Sequence, residues 1–324
     1  MRPLAYLLAA LLPALAGAAA RPQYLAIEAK IPLPGVQGRF DHLAFDAKRD
    51  RLYVAALGNN SVEVVDVAAK RLVQDLPGLS EPQGIAFSAT LQMLYVACGG
   101  DGTLHAWHAA DLSPAGTLRL GGDADNVRVD EHAGRVYAGF GDGAMAIVQA
   151  APLRVISTIS LKAHPESFQL SPADDRLFVN VPNASQVAVI SLSQSRVVGT
   201  WSTEGMRANY PMALDPAGKS AFVVFREPAR ITELSTRDGH SLHATDTCID
   251  ADDIFVDARR QRLYVICGEG VVDTLAMNGL AHLSRTPTST GARTGLFVPA
   301  ADRLFVAARA AQGDAAIWVL KPVD

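Results

Sequence analysis

The sequence predicts an all-β protein that folds as a seven-bladed β-propeller, in which each blade is a four-stranded antiparallel sheet. Two observations lead to this prediction. A short apolar segment with an aromatic residue at its centre recurs at intervals of about 42 residues, and each interval holds three further strand-like segments separated by turns. The aromatic residues of the seven copies are Tyr53, Tyr95, Tyr137, Phe178, Phe222, Tyr264 and Phe305.

Within a repeat, the strands follow one another in a fixed order. The first strand alternates large apolar residues with others, as in HLAFD from His42, and a short turn rich in Asp, Pro or Gly connects it to the aromatic segment. A turn with Gly or Asn leads to a third strand such as VEVVDV, and a fourth such as RLVQDL completes the repeat. One such sheet cannot bury both of its faces, so the seven sheets are expected to pack face to face in a closed ring.

The two ends of the chain predict how this ring closes. The last copy, from Arg293, supplies three strands, whereas residues 24–34 form a strand-like segment that precedes the first copy. We expect this N-terminal strand to be the outer strand of the last blade, so that residues 21–324 form a single domain.

The first 20 residues have the layout of a secretory signal peptide. Arg2 gives a positive start, an apolar stretch follows over residues 4–15, and three alanines at residues 18–20 offer a cleavage site. The apolar stretch is too short to span a membrane comfortably. The sequence therefore predicts a periplasmic or secreted protein with no membrane span in its mature part.

Charge and composition limit the kinds of partner that the protein can bind. The formal net charge is −4, the chain is 49% hydrophobic, and no run of basic residues is longer than two. This composition is typical of a globular protein and lacks the basic surface that binds a phosphate backbone, so no nucleic acid partner is expected. The expectation is a monomer that binds a small molecule or a protein partner.

The repeated segments resemble a known family. RLYVA from Arg51 and NNSVEVVDV from Asn59 are similar to the signature of the YVTN-repeat, or YncE-like, propellers of bacterial periplasms and surfaces. The resemblance runs through essentially the whole mature chain, and it implies the propeller fold and an exported location. Members of the family have varied roles, one of them linked to DNA, so the resemblance implies no particular activity.

Polar segments precede the first strands and differ between repeats, whereas the apolar positions agree. Because first strands line the central channel, these segments are expected to meet at one opening, and their variety predicts a ligand-binding site there. The polar residues predicted to surround this opening are Asp41, His42, Gln83, Asp125, Asn126, Glu166, Asn209, Asp252, Asp253 and Arg293. In the alternative interpretation, these side chains cap backbone groups or line a water-filled channel.

Five of these residues are carboxylates, and crowded carboxylates require hydrogen-bond donors or a cation to remain charged. Arg39 and Arg293 are candidate donors, and a bound divalent cation is the other solution. The candidate metal ligands are His42, Asp125, Glu166 and Asp252. Oxygen ligands suit Ca²⁺, Mg²⁺ or Mn²⁺, while an imidazole from His42 or His164 admits Zn²⁺ or Mn²⁺. The sequence identifies no other cofactor.

The three cysteines suggest one disulfide. Cys248 and Cys267 lie on the two sides of the turn that joins the first two strands of one repeat, which brings them to the same end of the sheet and allows them to pair. Two separate thiols, or a thiolate metal ligand at Cys248, are the alternatives. Cys98 occupies the corresponding strand end of another repeat and is predicted to be a small buried residue.

Two functions remain open at this point. The motifs G-x-S-x-G, H-E-x-x-H and C-x-x-C are absent from the sequence. One hypothesis is a binding protein that holds a small ligand, a metal ion or a protein partner at the channel opening. The other is a metal-dependent hydrolase, similar in its site to propeller lactonases, with Asp125 or Glu166 as a base. A quinone-dependent dehydrogenase is less favoured, because only 6% of residues are aromatic and no Trp motif recurs.

Overall fold

The strands of the protein form seven four-stranded antiparallel sheets, which confirms the predicted seven-bladed propeller. The computed structural model describes residues 23–203, 205–311 and 313–324. The elements in these ranges are β-strands and four single-turn 3-10 helices, and none of the helices is long and apolar enough to cross a membrane. The predicted signal peptide, residues 1–20, lies outside the described residues.

Each blade begins with the strand nearest the channel and continues outwards. The first strand of the described residues is β1 (Leu25–Leu33). Blade one contains β2 (Leu43–Asp46), β3 (Arg51–Ala56), β4 (Ser61–Asp66) and β5 (Arg71–Pro77). Blade two contains β6 (Pro82–Ser88), β7 (Met93–Cys98), β8 (Thr103–His108) and β9 (Pro114–Arg119). Blade three contains β10 (Ala124–Asp130), β11 (Arg135–Phe140), β12 (Ala144–Gln149) and β13 (Arg154–Ser160).

The remaining four blades repeat this order. Blade four contains β14 (Phe168–Ser171), β15 (Arg176–Val181), β16 (Gln186–Ser191) and β17 (Arg196–Ser202). Blade five contains β18 (Arg207–Leu214), β19 (Ser220–Glu227), β20 (Ala229–Ser235) and β21 (Ser241–Asp246). Blade six contains β22 (Ala251–Asp257), β23 (Arg262–Cys267), β24 (Val271–Ala276) and β25 (His282–Pro287). Blade seven contains β26 (Gly295–Val298), β27 (Arg303–Ala308) and β28 (Ala315–Pro322), with β1 as its outer strand.

The aromatic residue of the repeat joins neighbouring blades. All seven are at most 1% exposed, because each lies on the second strand of its sheet, between two blades. Tyr53 packs against Phe87 of the next blade with ring centroids 6.2 Å apart, and Phe305 packs against Phe45 at 5.9 Å. The burial of one such ring contributes about 2–3 kcal/mol to stability. The aromatic residue of the sequence repeat is therefore part of the packing that holds neighbouring blades together.

Strand β1 closes the ring, as the sequence predicts. It pairs with β28 in antiparallel register from Leu25 opposite Pro322 to Leu33 opposite Ala315. The side chain of Ile31 is fully buried and belongs to a core cluster shared by blades seven and one. The two ends of the described chain are thus joined by backbone hydrogen bonds within one sheet.

A disulfide joins Cys248 to Cys267, whose Cα atoms are 5.9 Å apart. Cys248 lies on the segment that enters β22, and Cys267 is the last residue of β23, so the bond ties that segment to its own blade. Cys98 is a free, fully buried thiol, and burial raises its pKa to about 12.

A pair of substitutions in β1 tests the role of its buried face. Ile31→Ala should lower the free energy of unfolding by about 2–4 kcal/mol, because it leaves a cavity between blades seven and one. Ile27, on the same strand, is 45% exposed, so Ile27→Ala should cost less than about 1 kcal/mol. Urea denaturation followed by circular dichroism measures both, and equal losses would show that the buried face of β1 does not stabilise the closed ring.

Candidate functional site

A polar cavity of about 340 Å³ lies where the seven first strands begin, and we call it the mouth cavity. Its walls come from all seven blades, and most of them carry charged or polar side chains. The lining residues are Arg39, Asp41, His42, Gln83, Asp123, Asp125, Asn126, His164, Glu166, Ser167, Tyr210, Arg226, Asp252 and Arg293.

Irregular pairing at the start of four first strands positions several of these side chains. The register between the first and second strands shifts in blades two, three, five and six. Such a bulge redirects side chains at the end of a sheet. The cavity-lining residues within these shifted segments are Gln83, Asp125, Asn126, Tyr210 and Asp252.

Blades two and three approach closely at this level. A Cβ atom on Gly84 would overlap the backbone carbonyl oxygen of Asp125, so only glycine allows this contact. Gly84 therefore fixes the position of the Asp125 backbone from the neighbouring blade.

Asp125, His164 and Glu166 form a compact group of potential ligands. One ligand atom from each lies within 4.8 Å of the other two, and His164 Nε2 is 3.8 Å from Asp125 Oδ2. His164 Nδ1 lies 2.6 Å from the carbonyl oxygen of Gly141, so Nδ1 carries the proton that this hydrogen bond needs. This arrangement turns Nε2 towards the carboxylates, the orientation that a metal-binding histidine requires.

Without a bound cation, protons on Glu166 and His164 reduce the repulsion between the carboxylates of this group. Burial, and then the negative charge of Asp125, raise the pKa of Glu166 to about 9. Burial lowers the pKa of His164, but its hydrogen bonds to Asp125 and Gly141 and the charge of Asp123 outweigh that effect and raise the value to about 9. At neutral pH, Glu166 is therefore a neutral acid and His164 a cation.

Asn126 adds an unsatisfied acceptor to the same wall. Its side chain is 2% exposed, its amide nitrogen lies 3.5 Å from Asp125 Oδ1, and its amide oxygen has no hydrogen-bond partner among the described residues. A buried carbonyl oxygen without a partner costs about 1–3 kcal/mol. A bound cation, or a hydrogen-bond donor from a ligand, would satisfy it.

The mouth cavity has two halves of different character. Blades three and four contribute the acidic group, whereas Arg226 and Arg293 face it from blades five and seven. Arg226 donates to Asp252, and Arg293 lies 2.8 Å from the other oxygen of that carboxylate. Five carboxylates and three guanidinium groups line the cavity in total. With every carboxylate ionised and both histidines neutral, these charges sum to −2, which one divalent cation balances. Without a cation, the proton on Glu166 and the positive charge of His164 bring the sum to zero.

The four predicted metal ligands, His42, Asp125, Glu166 and Asp252, do not all lie close enough together to share one ion. Asp125 and Glu166 lie together, and His164 provides the imidazole beside them. His42 instead lies between Asp41 and Asp253, with nitrogen–oxygen distances of 3.8 and 3.6 Å. Asp252 is held between two arginines. His42 and Asp252 therefore stand outside the group that could share one ion.

Two of the residues predicted to surround the opening do not line the mouth cavity. Asn209 is fully buried and donates to Asn180 Oδ1 at 3.1 Å, which links blades five and four. Asp253 accepts a hydrogen bond from the backbone of Gly295 at 2.8 Å, which links blades six and seven. The bulges of blades five and six turn Tyr210 and Asp252 towards the cavity and leave Asn209 and Asp253 between blades.

Six lining residues were not among the ten predicted to surround the opening: Arg39, Asp123, His164, Ser167, Tyr210 and Arg226. The sequence suggested Arg39 only as a donor to the carboxylates, and His164 only as a possible imidazole ligand. Asp123 and His164 belong to the polar segments that the sequence singled out, so their positions carried a signal. Tyr210 enters through a bulge that no repeat pattern indicated. Arg226 reaches the cavity from the end of β19, next to the turn between second and third strands, and the repeat order places such turns on the same face as the opening.

The raised pKa of Glu166 predicts a pH-dependent gain of stability in Glu166→Gln. The folded protein keeps the proton up to about pH 9, while the unfolded chain loses it near the ordinary value of 4.5, so wild-type stability falls as the pH rises through this window. With EDTA present, the variant should be more stable than the wild type by about 1 kcal/mol or more at pH 8, and the difference should shrink towards pH 5.

Urea denaturation at several pH values measures this difference. Glu227→Gln, which removes an exposed carboxylate, serves as the matched control and should show no such trend. A Glu166→Gln variant that is less stable at pH 8, or a difference that does not change with pH, would contradict the prediction.

Comparisons with known proteins support the fold. Neither a comparison with protein-family models nor one with curated protein sequences finds a match. Among solved structures, a chain in the crystal structure of a mitotic checkpoint complex superimposes with a TM-score of 0.77 at 14% identity, over 99% of each chain. At this identity the likeness shows the architecture alone, and it agrees with a seven-bladed β-propeller.

Proposed function

We propose that this protein is an exported propeller that binds a divalent cation, and with it a small polar ligand, in the mouth cavity. One observation carries the proposal. Asp125, His164 and Glu166 bring three ligand atoms within 4.8 Å of one another in a cavity lined by five carboxylates and three guanidinium groups. The unsatisfied amide oxygen of Asn126 on the same wall supports it.

The donor set favours Zn²⁺ or Mn²⁺. Two carboxylates and one imidazole suit these ions better than Ca²⁺ or Mg²⁺, which prefer oxygen ligands alone. Asp125, His164 and Glu166 would hold the ion, and it would replace the protons that Glu166 and His164 carry at neutral pH.

Export and family membership belong to the same proposal. The layout of residues 1–20 and the similarity of the repeats to YVTN-repeat propellers support a periplasmic or secreted protein. The disulfide between Cys248 and Cys267 fits an oxidising compartment.

A pair of histidine variants tests the metal site. Isothermal titration of the EDTA-treated, dialysed protein with ZnCl₂ and with MnCl₂ at pH 7.5 should show one ion bound per chain. His164→Ala should weaken binding at least about tenfold, because it removes a ligand. His42→Ala is the matched control, since it removes an imidazole from the same cavity but outside the group, and it should bind as the wild type does. Absence of binding, or an equal loss in both variants, would overturn the proposal.

Metal-dependent hydrolysis is the second candidate function, and one observation favours it. Only three side chains form the group, which leaves coordination positions open to water and substrate, as in catalytic rather than structural metal sites. A cavity of about 340 Å³ has room for a small organic molecule. A divalent ion in such a position polarises a carbonyl group and acidifies a bound water.

A pH-stat assay separates hydrolysis from binding. If the protein is a hydrolase, the metal-loaded form should cleave members of a panel of small lactones and esters, and His164→Ala should lower the rate at least about 100-fold. His108→Ala, which removes an exposed histidine of blade two, should keep the wild-type rate. A metal-loaded wild type without turnover on the whole panel would leave binding as the function.

A further inference from the structure

A second cavity lies at the other end of the channel, where the first strands end. It has a volume of about 620 Å³ and meets the mouth cavity at His42 and Ser167, which line both. We call it the lower cavity. Phe45, Phe87 and Phe255 form part of its wall and remain only half-buried. Most of its lining residues are apolar, whereas those of the mouth cavity are charged or polar, although the same seven blades build both.

One repeat position in the lower cavity carries a single charged residue. The position is the third residue of the segments that begin HLAFD and GIAFS and their five counterparts. The residues at this position are Ala44, Ala86, Arg128, Gln169, Ala213, Phe255 and Phe297. Arg128 therefore departs from a repeat position that is otherwise small, apolar or neutral.

The guanidinium group of Arg128 makes few polar contacts with the described residues. Its Nη1 donates to the carbonyl oxygen of Val127 at 2.8 Å, and the group lies 5.5 Å from the centre of the Phe168 ring. No carboxylate oxygen of the described residues lies within 4 Å of it, and Asp253 and Asp125 act on it only from a greater distance. Most of its N–H groups are thus available to the lower cavity, which Arg128 lines.

The two acidic side chains that line the lower cavity, Glu131 and Asp253, already have hydrogen-bond partners. The carboxylate of Glu131, at the edge of the lower cavity, accepts hydrogen bonds from Ser88 Oγ at 2.8 Å and from the backbone of Ala89 at 2.7 Å. Asp253 accepts a hydrogen bond from Gly295 and faces His42. Neither carboxylate therefore neutralises Arg128 directly.

We propose that the lower cavity binds an organic anion with one carboxylate and an apolar body, and that Arg128 holds the carboxylate. A guanidinium group offers paired donors that match a carboxylate, and the low polarity of the phenylalanine walls strengthens such a pair. The walls take the apolar body, and a volume of about 620 Å³ falls in the range of small-molecule sites. The proposal does not depend on the metal site and concerns the opposite end of the channel.

Calorimetric titration with sodium octanoate tests the proposal, with octan-1-ol as the uncharged comparison. The purified protein should bind one octanoate and should bind octan-1-ol at least about tenfold more weakly. Arg128→Met should weaken octanoate binding at least about tenfold and leave octan-1-ol binding unchanged, whereas Arg128→Lys should retain part of the preference. Arg154→Met, which removes an arginine from an outer strand, is the matched control and should bind as the wild type does.

Several outcomes would overturn the proposal: no octanoate binding to the wild type, equal affinity for octanoate and octan-1-ol, or an unchanged preference in Arg128→Met. Because the first two concern the wild type, they decide the question even if Arg128→Met fails to fold, and thermal melting identifies that case. Octanoate binding should be the same with EDTA and with Zn²⁺. A failure here is therefore distinguishable from a failure of the metal site.

Discussion

The rest of the structure depends on the pairing of β1 with β28. A blade has two apolar faces, and only neighbouring blades can cover them. A ring left open between blades seven and one would expose the contact of Phe305 with Phe45 and the cluster around Ile31. Closure also makes the channel, since the acidic wall of blades three and four faces the arginines of blades five and seven only when the circle is complete. Both cavities thus depend on one strand pair.

The first strands divide the channel into two chemical environments. Their starts carry carboxylates, histidines and arginines, and their ends carry phenylalanines and one guanidinium group without an ion pair among the described residues. The central residues of the second strands stay almost uniform because they form the contacts between blades. A propeller can therefore vary its binding chemistry at both ends of seven short strands without disturbing the contacts that stabilise it. Asn126, whose amide oxygen has no partner among the described residues, and Arg128, which has no ion pair among them, lie two residues apart on β10, one in each environment.

Periodicity was enough to predict the number of blades, the order of strands and the closure by β1, because apolar contacts between blades repeat with the sequence. It also led to Asp125 and Glu166, since the polar segments before the first strands all reach one opening. Periodicity could not show that Tyr210, and not Asn209, faces the mouth cavity, or that Asp252 faces it and Asp253 does not. A bulge shifts the pairing by one residue and exchanges which neighbour faces the cavity. Whether His164 or His42 lies beside Asp125 and Glu166 also depends on local geometry. Arg226 lies on a second strand, outside the segments that precede the first strands.

The position of β1 has a consequence for how the molecule is made. Its partner strand is the last in the chain, and the pairing of Leu25 with Pro322 joins residues about 300 positions apart. Strand β1 therefore stays unpaired until β28 has been synthesised. During synthesis blades one to six can assemble from local hairpins, while the apolar face of β1 stays uncovered and open to proteolysis or aggregation. The pairing of β1 with β28, rather than the completion of any single blade, is the event that covers this face and closes the ring.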